Sequence, residues 1–142
     1  MVKGLVMRKE IEINADVDAV WDALINTKLI KQYLFGTEAI SQWKIGSPII
    51  FRGMWDGKTY EDKGLICELE INKTFRYSYW SSFSGLEDKI ENYADVTYEL
   101  INKGKKTILV ITQDSIETEE MIEQASQNWE SVLKGLKEVV EN

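Results

Sequence analysis

The sequence of 142 residues predicts an α+β fold, in which an antiparallel sheet of six or seven strands packs against one long C-terminal helix. Two patterns carry this prediction. The middle of the chain consists of segments of alternating apolar and polar residues joined by short turns, which is typical of an antiparallel sheet with one buried face. Residues 117–140 instead repeat apolar positions every three or four residues, which is typical of an amphipathic helix. The apolar face of this helix is the natural cover for the sheet.

The chain is predicted to begin with a strand followed by two short helices. Residues 5–13 form the strand. Asp16 is placed to cap the first helix, because its carboxylate can accept hydrogen bonds from the free N–H groups of a first turn. Apolar residues follow at helical spacing from Val17 to Ile25, and a second short helix is predicted at 28–34.

Short turns divide the middle of the chain into the remaining strands. These strands are predicted at 37–43, from Ile49 to Trp55, and at 58–71, 74–80, 90–101 and from 107 onward. Asp56-Gly57 is a strong hairpin signal, since glycine adopts a positive φ at little cost. In the strand at 58–71 we expect alternate residues from Leu65 to Ile71 to face the core. In this alternation Cys67 faces the core, where it is expected to be an inert buried thiol.

Composition excludes several chemistries. The chain has no histidine and a single cysteine, which excludes histidine-dependent catalytic triads, histidine-ligated zinc or haem, and an intramolecular disulfide. We expect no cofactor and no metal.

The net charge of −7 argues against binding to nucleic acids or to anionic membranes. No stretch approaches the roughly 18 apolar residues of a membrane span, and the N-terminus lacks a signal-peptide pattern. The expected location is therefore the cytoplasm.

Short motifs along nearly the whole chain carry a resemblance to a known family. They lie at Ile13–Leu24 with its Val-Trp pair, Trp43–Gly46, Gly64–Glu68, Phe75–Tyr79, Val96–Leu100, Thr107–Thr112 and Asn128–Lys137. In this order and spacing they resemble the START-like (SRPBCC) superfamily, and within it the Aha-like family of homologues of the activator of heat-shock chaperone ATPase. The resemblance implies a helix-grip fold in which a curved sheet holds the C-terminal helix, formed by residues 1–142 as a single domain.

Two positions depart from the pattern of the family that the chain resembles. The family often has glycine immediately before the tryptophan of the last helix, where this chain has Asn128. It often has histidine at the end of the last strand, where this chain has Gln113. The polar work of that histidine falls here to an amide, which does not titrate.

Aromatic side chains and their neighbours on the predicted inner faces are candidates for a ligand-binding site. The candidates are Tyr33, Phe51, Trp55, Tyr77, Tyr79, Tyr98, Gln113, Ala125 and Trp129. Two interpretations stay open for them: ordinary core packing, or the wall of a cavity whose tyrosine hydroxyls meet water or a polar group of a ligand. Trp55, next to a turn, either folds over the sheet or forms a lid or partner contact.

Arg52 and Glu68 are two further candidates. By alternation both point away from the apolar face, where they would be solvated charges. If a bulge or the curvature of a strand turned either one inward, it would be a polar group of the cavity. Glu68 matches a recurrent glutamate of the family that the chain resembles.

Three functions remain open at the level of sequence. The leading hypothesis is non-enzymatic binding of a small hydrophobic or aromatic ligand in a cavity between the sheet and the C-terminal helix, by a monomer or homodimer. The second is a protein-interaction role as a homologue of the chaperone ATPase activators, which resemble this chain in one domain and carry an additional one. The third is an enzyme similar to polyketide cyclases or aromatases. Without histidine, its acid–base groups would be Tyr, Asp, Glu, Arg or Lys.

Overall fold

The computed structural model describes residues 4–82 and 84–141, except for the side chain of Trp55. Its elements, in chain order, are β1 (Leu5–Ile13), α1 (Val17–Ile25), α2 (Thr27–Tyr33), β2 (Glu38–Ser41), β3 (Pro48–Trp55), β4 (Lys58–Glu70), β5 (Thr74–Tyr79), β6 (Ala94–Asn102), β7 (Thr107–Ile116) and α3 (Glu119–Glu141). One short helical turn at Ile90–Asn92 precedes β6.

The strands form one antiparallel sheet of seven strands in the order β1-β7-β6-β5-β4-β3-β2. Helix α3 packs against β1, β7 and the two short helices, so the curved sheet holds the long helix on its apolar face. This arrangement confirms the predicted α+β helix-grip fold.

Local sequence signals set the helices. The carboxylate of Asp16 accepts a hydrogen bond of 3.0 Å from the backbone N–H of Ala19, which confirms the predicted cap of α1. The predicted stripe of α3 faces the core: Trp129, Leu133 and Leu136 are buried. Burial of this stripe holds the helix on the sheet, since helical propensity alone stabilises helices only weakly.

A two-residue turn fixes the register of the hairpin formed by β3 and β4. Asp56 and Gly57 both have positive φ, at 51° and 76°, as a type I′ turn requires. The register that follows places Phe51 directly opposite Asp62. Because directly opposed residues point to the same face of a sheet, Asp62 shares the inner face with Phe51.

The predicted inner face of β4 is wrong at Leu65 and Cys67. Leu65 is 51% exposed, whereas its neighbour Ile66 is 1% exposed and faces the core. The register of β4 on β5 shifts between Ile66 and Glu68, which marks a β-bulge at Cys67. The bulge adds one residue to β4, so the alternation reverses on its two sides.

Beyond the bulge the predicted phase returns. Leu69 pairs with Phe75 and packs against the core, as expected. Ile71 lies beyond the end of β4 and is exposed, contrary to the prediction. Cys67 is half-buried on the outer side of the sheet, so the expectation of a thiol enclosed in the core is also wrong.

Gly64 marks a close approach of β4 and β5. A Cβ atom at this position would overlap the carbonyl oxygen of Ser78. The hydroxyl of Ser78 accepts a hydrogen bond of 2.9 Å from the backbone N–H of Leu65. A residue without a side chain is therefore required where the strand approaches its bulge.

Candidate ligand-binding site

A cavity of about 460 Å³ lies between the inner face of the sheet and α3. Side chains of β3 to β7, α3 and the segment after α2 line it. Six of the predicted candidates are on its wall: Phe51, Tyr77, Tyr79, Gln113, Ala125 and Trp129. The structure therefore brings together most of the candidates at one place.

Three aromatic rings form a cluster on the sheet side of the cavity. The ring centroid of Phe51 lies 5.4 Å from that of Tyr77 and 5.9 Å from that of Tyr79, and the two tyrosine rings are 6.4 Å apart. Tyr77 and Tyr79 alternate along β5 and so point to the same face, beside Phe51 on β3. The tilted and edge-to-face arrangements are those that aromatic pairs favour.

Asp62 joins this cluster as a buried acidic group. Its carboxylate accepts a hydrogen bond of 2.6 Å from the hydroxyl of Tyr79, and its other oxygen accepts from the backbone N–H of Ser82 at 3.0 Å and from the Ser82 hydroxyl at 3.4 Å. Asp62 is only 6% exposed and lines the cavity. Burial, reinforced by the negative charge of Asp62, raises the pKa of the Tyr79 hydroxyl well above its usual value. Tyr79 therefore stays protonated and remains a donor to Asp62.

Further polar groups lie at the same part of the wall. The hydroxyls of Thr37 and Tyr60 are hydrogen-bonded to each other, and both residues line the cavity together with Ser81. Tyr60 lies opposite Gly53, and its ring occupies the space that a side chain at Gly53 would take. With Asp62, these hydroxyls give the cavity a polar region next to its aromatic cluster.

A second polar contact is formed where β7 meets α3. The indole N–H of Trp129 donates a hydrogen bond of 2.8 Å to the side-chain oxygen of Gln113. Asn128 also lines the cavity. Both residues that depart from the pattern of the resembled family therefore lie on the cavity wall.

Tyr33 and Tyr98 lie in the packed core outside the cavity lining. The hydroxyl of Tyr33 donates a hydrogen bond of 2.8 Å to the backbone carbonyl of Ala23. The ring of Tyr98 stacks on Phe75 and meets Trp129 edge to face, with centroids 6.1 and 6.0 Å apart. Burial raises the pKa of both tyrosines, so both stay protonated.

Arg52 and Glu68 are not brought to the cavity. Arg52 forms an ion pair of 3.6 Å with Glu61, and Glu68 forms one of 2.9 Å with Arg76, all on the outer face of the sheet. Their placement follows the outward orientation expected from alternation. The side chain of Trp55 lies outside the described part of the structure.

Asp62 was not among the residues predicted from the sequence, and neither were Thr37, Tyr60 and Ser81, which line the cavity with it. The phase expected for β4, with Leu65 and Cys67 facing the core, would turn Asp62 outward, but that phase holds only beyond the bulge at Cys67. A signal was nonetheless present. A two-residue turn at Asp56-Gly57, combined with an inward Phe51, places residue 62 opposite Phe51 and on the same face.

Two properties of the described residues concern metals and membranes. Over residues 4–82 and 84–141, no three His, Cys, Asp or Glu side chains are grouped so that they could hold a metal ion. In the same part of the chain, none of the helices is long and apolar enough to cross a membrane.

The fold and the position of the cavity define a helix-grip protein, and comparison with known proteins gives the family. The chain belongs to the family described as "Activator of Hsp90 ATPase homolog 1-like protein", whose model matches residues 14–141. No curated protein matches the chain.

Solved structures show the same fold. A protein from Cytophaga hutchinsonii is 41% identical in sequence, with a TM-score of 0.86, over 100% of this chain and 97% of that chain. The Aha1 dimer from Colwellia psychrerythraea is 17% identical, with a TM-score of 0.74, over 96% of each chain. DynU16, a protein of the dynemicin biosynthetic locus, is 15% identical, with a TM-score of 0.80, over 96% of this chain and 47% of that one. The last two show similarity of fold.

Proposed function

We propose that this protein binds a small hydrophobic or aromatic ligand, without transforming it, in the cavity between the sheet and α3. The observation that carries the proposal is the cavity itself, about 460 Å³ in volume and lined by aromatic and aliphatic side chains with polar groups in two places. Ligand sites in proteins usually measure about 300–1,000 Å³ and combine apolar walls with a few polar groups that orient the ligand.

Affinity in such a site comes mainly from the burial of apolar surface, at about 25 cal/mol for each Å² removed from water. Phe51 and Tyr77 offer ring faces on the sheet side, and Val96 and Val132 offer aliphatic surface. The polar groups then orient the ligand, since each buried polar group of the ligand needs a hydrogen-bonding partner.

The test is calorimetric titration of the purified protein with a panel of lipids and aromatic compounds. The panel includes naphthylethanol, which is naphthalene carrying a hydroxyethyl chain. We expect saturable binding of one molecule per chain. Ala125→Trp should weaken it by about tenfold or more, because the new ring fills space on the cavity wall. Gln124→Trp is the matched control, since Gln124 is the exposed neighbour of Ala125 on the same helix.

Two outcomes contradict this proposal. One is the absence of saturable binding by every compound of the panel. The other is equal affinity of the unaltered protein and of a folded Ala125→Trp variant, which would place the ligand elsewhere on the molecule.

The description of the family favours a second candidate, stimulation of a heat-shock chaperone ATPase. The protein would then act through its surface rather than its cavity. The test mixes the protein with the Hsp90-type chaperone of the same organism and measures ATP hydrolysis and co-sedimentation. Sedimentation of the protein alone also reports whether it is a monomer or a homodimer. A chaperone that neither binds the protein nor hydrolyses ATP faster in its presence would remove this candidate.

The buried Asp62 supports a third candidate, a cyclase or aromatase. Such an enzyme needs a group in the cavity that accepts a proton, and Asp62 and Tyr79 are adjacent there. Ring closure of a linear polyketide to an aromatic product, with loss of water, would give a compound lighter by one water. Mass spectrometry detects this change. An unchanged mass for every polyketide offered, or full activity in a folded Asp62→Asn variant, would argue against this role.

A further inference from the structure

Asp62 is a buried carboxylate that has no cationic partner in the described part of the chain. Two basic residues close to Asp62 are engaged elsewhere: Arg52, which follows its cross-strand partner Phe51, pairs with Glu61, and Lys63 pairs with Asp88 at 2.5 Å. The described cavity lining contains no lysine or arginine. An unpaired carboxylate is costly to bury unless hydrogen bonds or a cation compensate its charge.

Hydrogen bonds from the described residues compensate this charge only in part. One carboxylate oxygen accepts two hydrogen bonds from Ser82, and the other accepts one from Tyr79. A carboxylate can accept about four hydrogen bonds. The oxygen that Tyr79 contacts therefore has room for a further donor, and the residue lies on the cavity wall.

The surroundings of Asp62 favour a positively charged donor. Phe51 is its direct cross-strand neighbour. The ring centroids of Tyr77 and Tyr79 lie 5.4 and 5.9 Å from that of Phe51. Aromatic ring faces attract cations, and the attraction is stronger where water is excluded. A carboxylate beside three rings provides the two features that bind an ammonium group.

We propose that the ligand carries a protonated amine, which binds to Asp62 beside the ring cluster of Phe51, Tyr77 and Tyr79, while its apolar body extends towards Val96 and Val132. This inference rests on the proposed function and names the class of ligand: a hydrophobic or aromatic amine. A ligand with a carboxylate would be repelled by Asp62 and also by the net charge of −7 of the chain.

The experiment compares three probes built on one naphthalene skeleton and titrated at neutral pH. They are naphthylethylamine, naphthylethanol and naphthylacetic acid. We expect the amine to bind about tenfold more tightly than the alcohol, and the acid to bind most weakly, because a hydrogen bond between charged groups is stronger than a neutral one. Asp62→Asn should bring the affinity for the amine to within about threefold of that for the alcohol.

The matched control is Glu61→Gln. It removes the same charge from the adjacent residue of β4, which is exposed on the outer face. We expect it to preserve the order of the three probes. A long-range effect of net charge would instead lower the affinity for the amine equally in both variants, which would overturn the inference.

The outcomes separate this inference from the function on which it rests. Binding of the alcohol in the cavity, with no tighter binding of the amine, would overturn the amine assignment and leave the proposed function intact. Failure of all three probes and of the wider panel would overturn both. If Asp62→Asn does not fold, the order of affinities on the unaltered protein decides the question.

Discussion

The hydroxyl of Tyr79 donates a hydrogen bond of 2.6 Å to the carboxylate of Asp62, joining β5 to β4 at the wall of the cavity. Ser82, in the segment that follows β5, donates to the same carboxylate. The negative charge is thus held on the inner face by donors from β5 and from the segment that follows it. Loss of the Tyr79 hydroxyl leaves one buried carboxylate oxygen without its donor, which costs more than the hydrogen bond itself contributes.

Tyr79→Phe is expected to lower the free energy of unfolding by about 1–3 kcal/mol, because it removes the hydroxyl but keeps the ring. Denaturation in urea measures this loss. The control is Tyr93→Phe, since Tyr93 donates a hydrogen bond of 2.5 Å to Asp88, whose side chain is 41% exposed. Water can replace the lost donor there, so we expect a smaller loss. Equal losses in the two variants would show that burial of Asp62 has no energetic consequence.

Stability is expected to fall steeply at alkaline pH. Burial raises the pKa of four tyrosines in the folded protein, namely Tyr33, Tyr77, Tyr79 and Tyr98. In the unfolded chain these hydroxyls ionise at about pH 10, so above that pH the unfolded state binds fewer protons than the folded state. Their contribution is complete below the pKa of the unfolded chain and decreases as pH rises, by about 1.4 kcal/mol for each pH unit and each tyrosine.

The measurement is the free energy of unfolding in urea between about pH 9 and pH 11. Tyr98→Phe serves as the comparison, because it removes one of the four groups while keeping its ring. Its slope against pH should be shallower than that of the unaltered protein by the contribution of one proton. Identical slopes would mean that Tyr98 ionises equally well in the folded state.

Gln113 and Trp129 are expected to be energetically coupled. Gln113→Leu leaves the indole N–H without its acceptor, so the free energy of unfolding should fall by about 1–3 kcal/mol. In a background of Trp129→Phe the donor is absent, and the same change should cost much less. A double-mutant cycle in urea should give a coupling of about 1 kcal/mol. Strict additivity of the two changes would contradict the hydrogen bond.

Gly64→Ala is expected to lower the free energy of unfolding by more than about 2 kcal/mol, since its Cβ would overlap the backbone carbonyl of Ser78. Thermal unfolding is the readout. Thr59→Ala, at an exposed position of the same strand, should change stability by less than about 0.5 kcal/mol. A stable Gly64→Ala protein would show that β4 and β5 can separate at low cost.

Local signals were enough to predict most of the fold. The bounds of β1, the cap at Asp16 and the turn at Asp56-Gly57 each depend on residues adjacent in sequence, and all three are confirmed. Alternation along β5 likewise brought Tyr77 and Tyr79 to the inner face. Such features follow from propensity and periodicity alone.

What the sequence could not reveal depends on contacts between distant segments. The bulge at Cys67 accompanies the close approach of Gly64 to Ser78, and no pattern within β4 alone marks the point where its alternation reverses. Tyr98 and Tyr77 both face inward, but the ring of Trp129 on α3 meets that of Tyr98, and of these two tyrosines Tyr77 lines the cavity. Packing of this kind depends on the three-dimensional arrangement of elements and leaves no periodic trace in one segment.

The central claim is that the ligand binds between the sheet and α3, and the location of a bound probe tests it most directly. A larger pocket of about 650 Å³ on the outer face, lined in part by Ile50, Leu65 and Ile90, is the competing location. In isotope-filtered NMR spectra of the labelled protein with the ethylamine derivative of naphthalene, we predict nuclear Overhauser effects from the probe to the methyl groups of Ala125 and Val132. Contacts confined to Ile50, Leu65 and Ile90 would contradict the account.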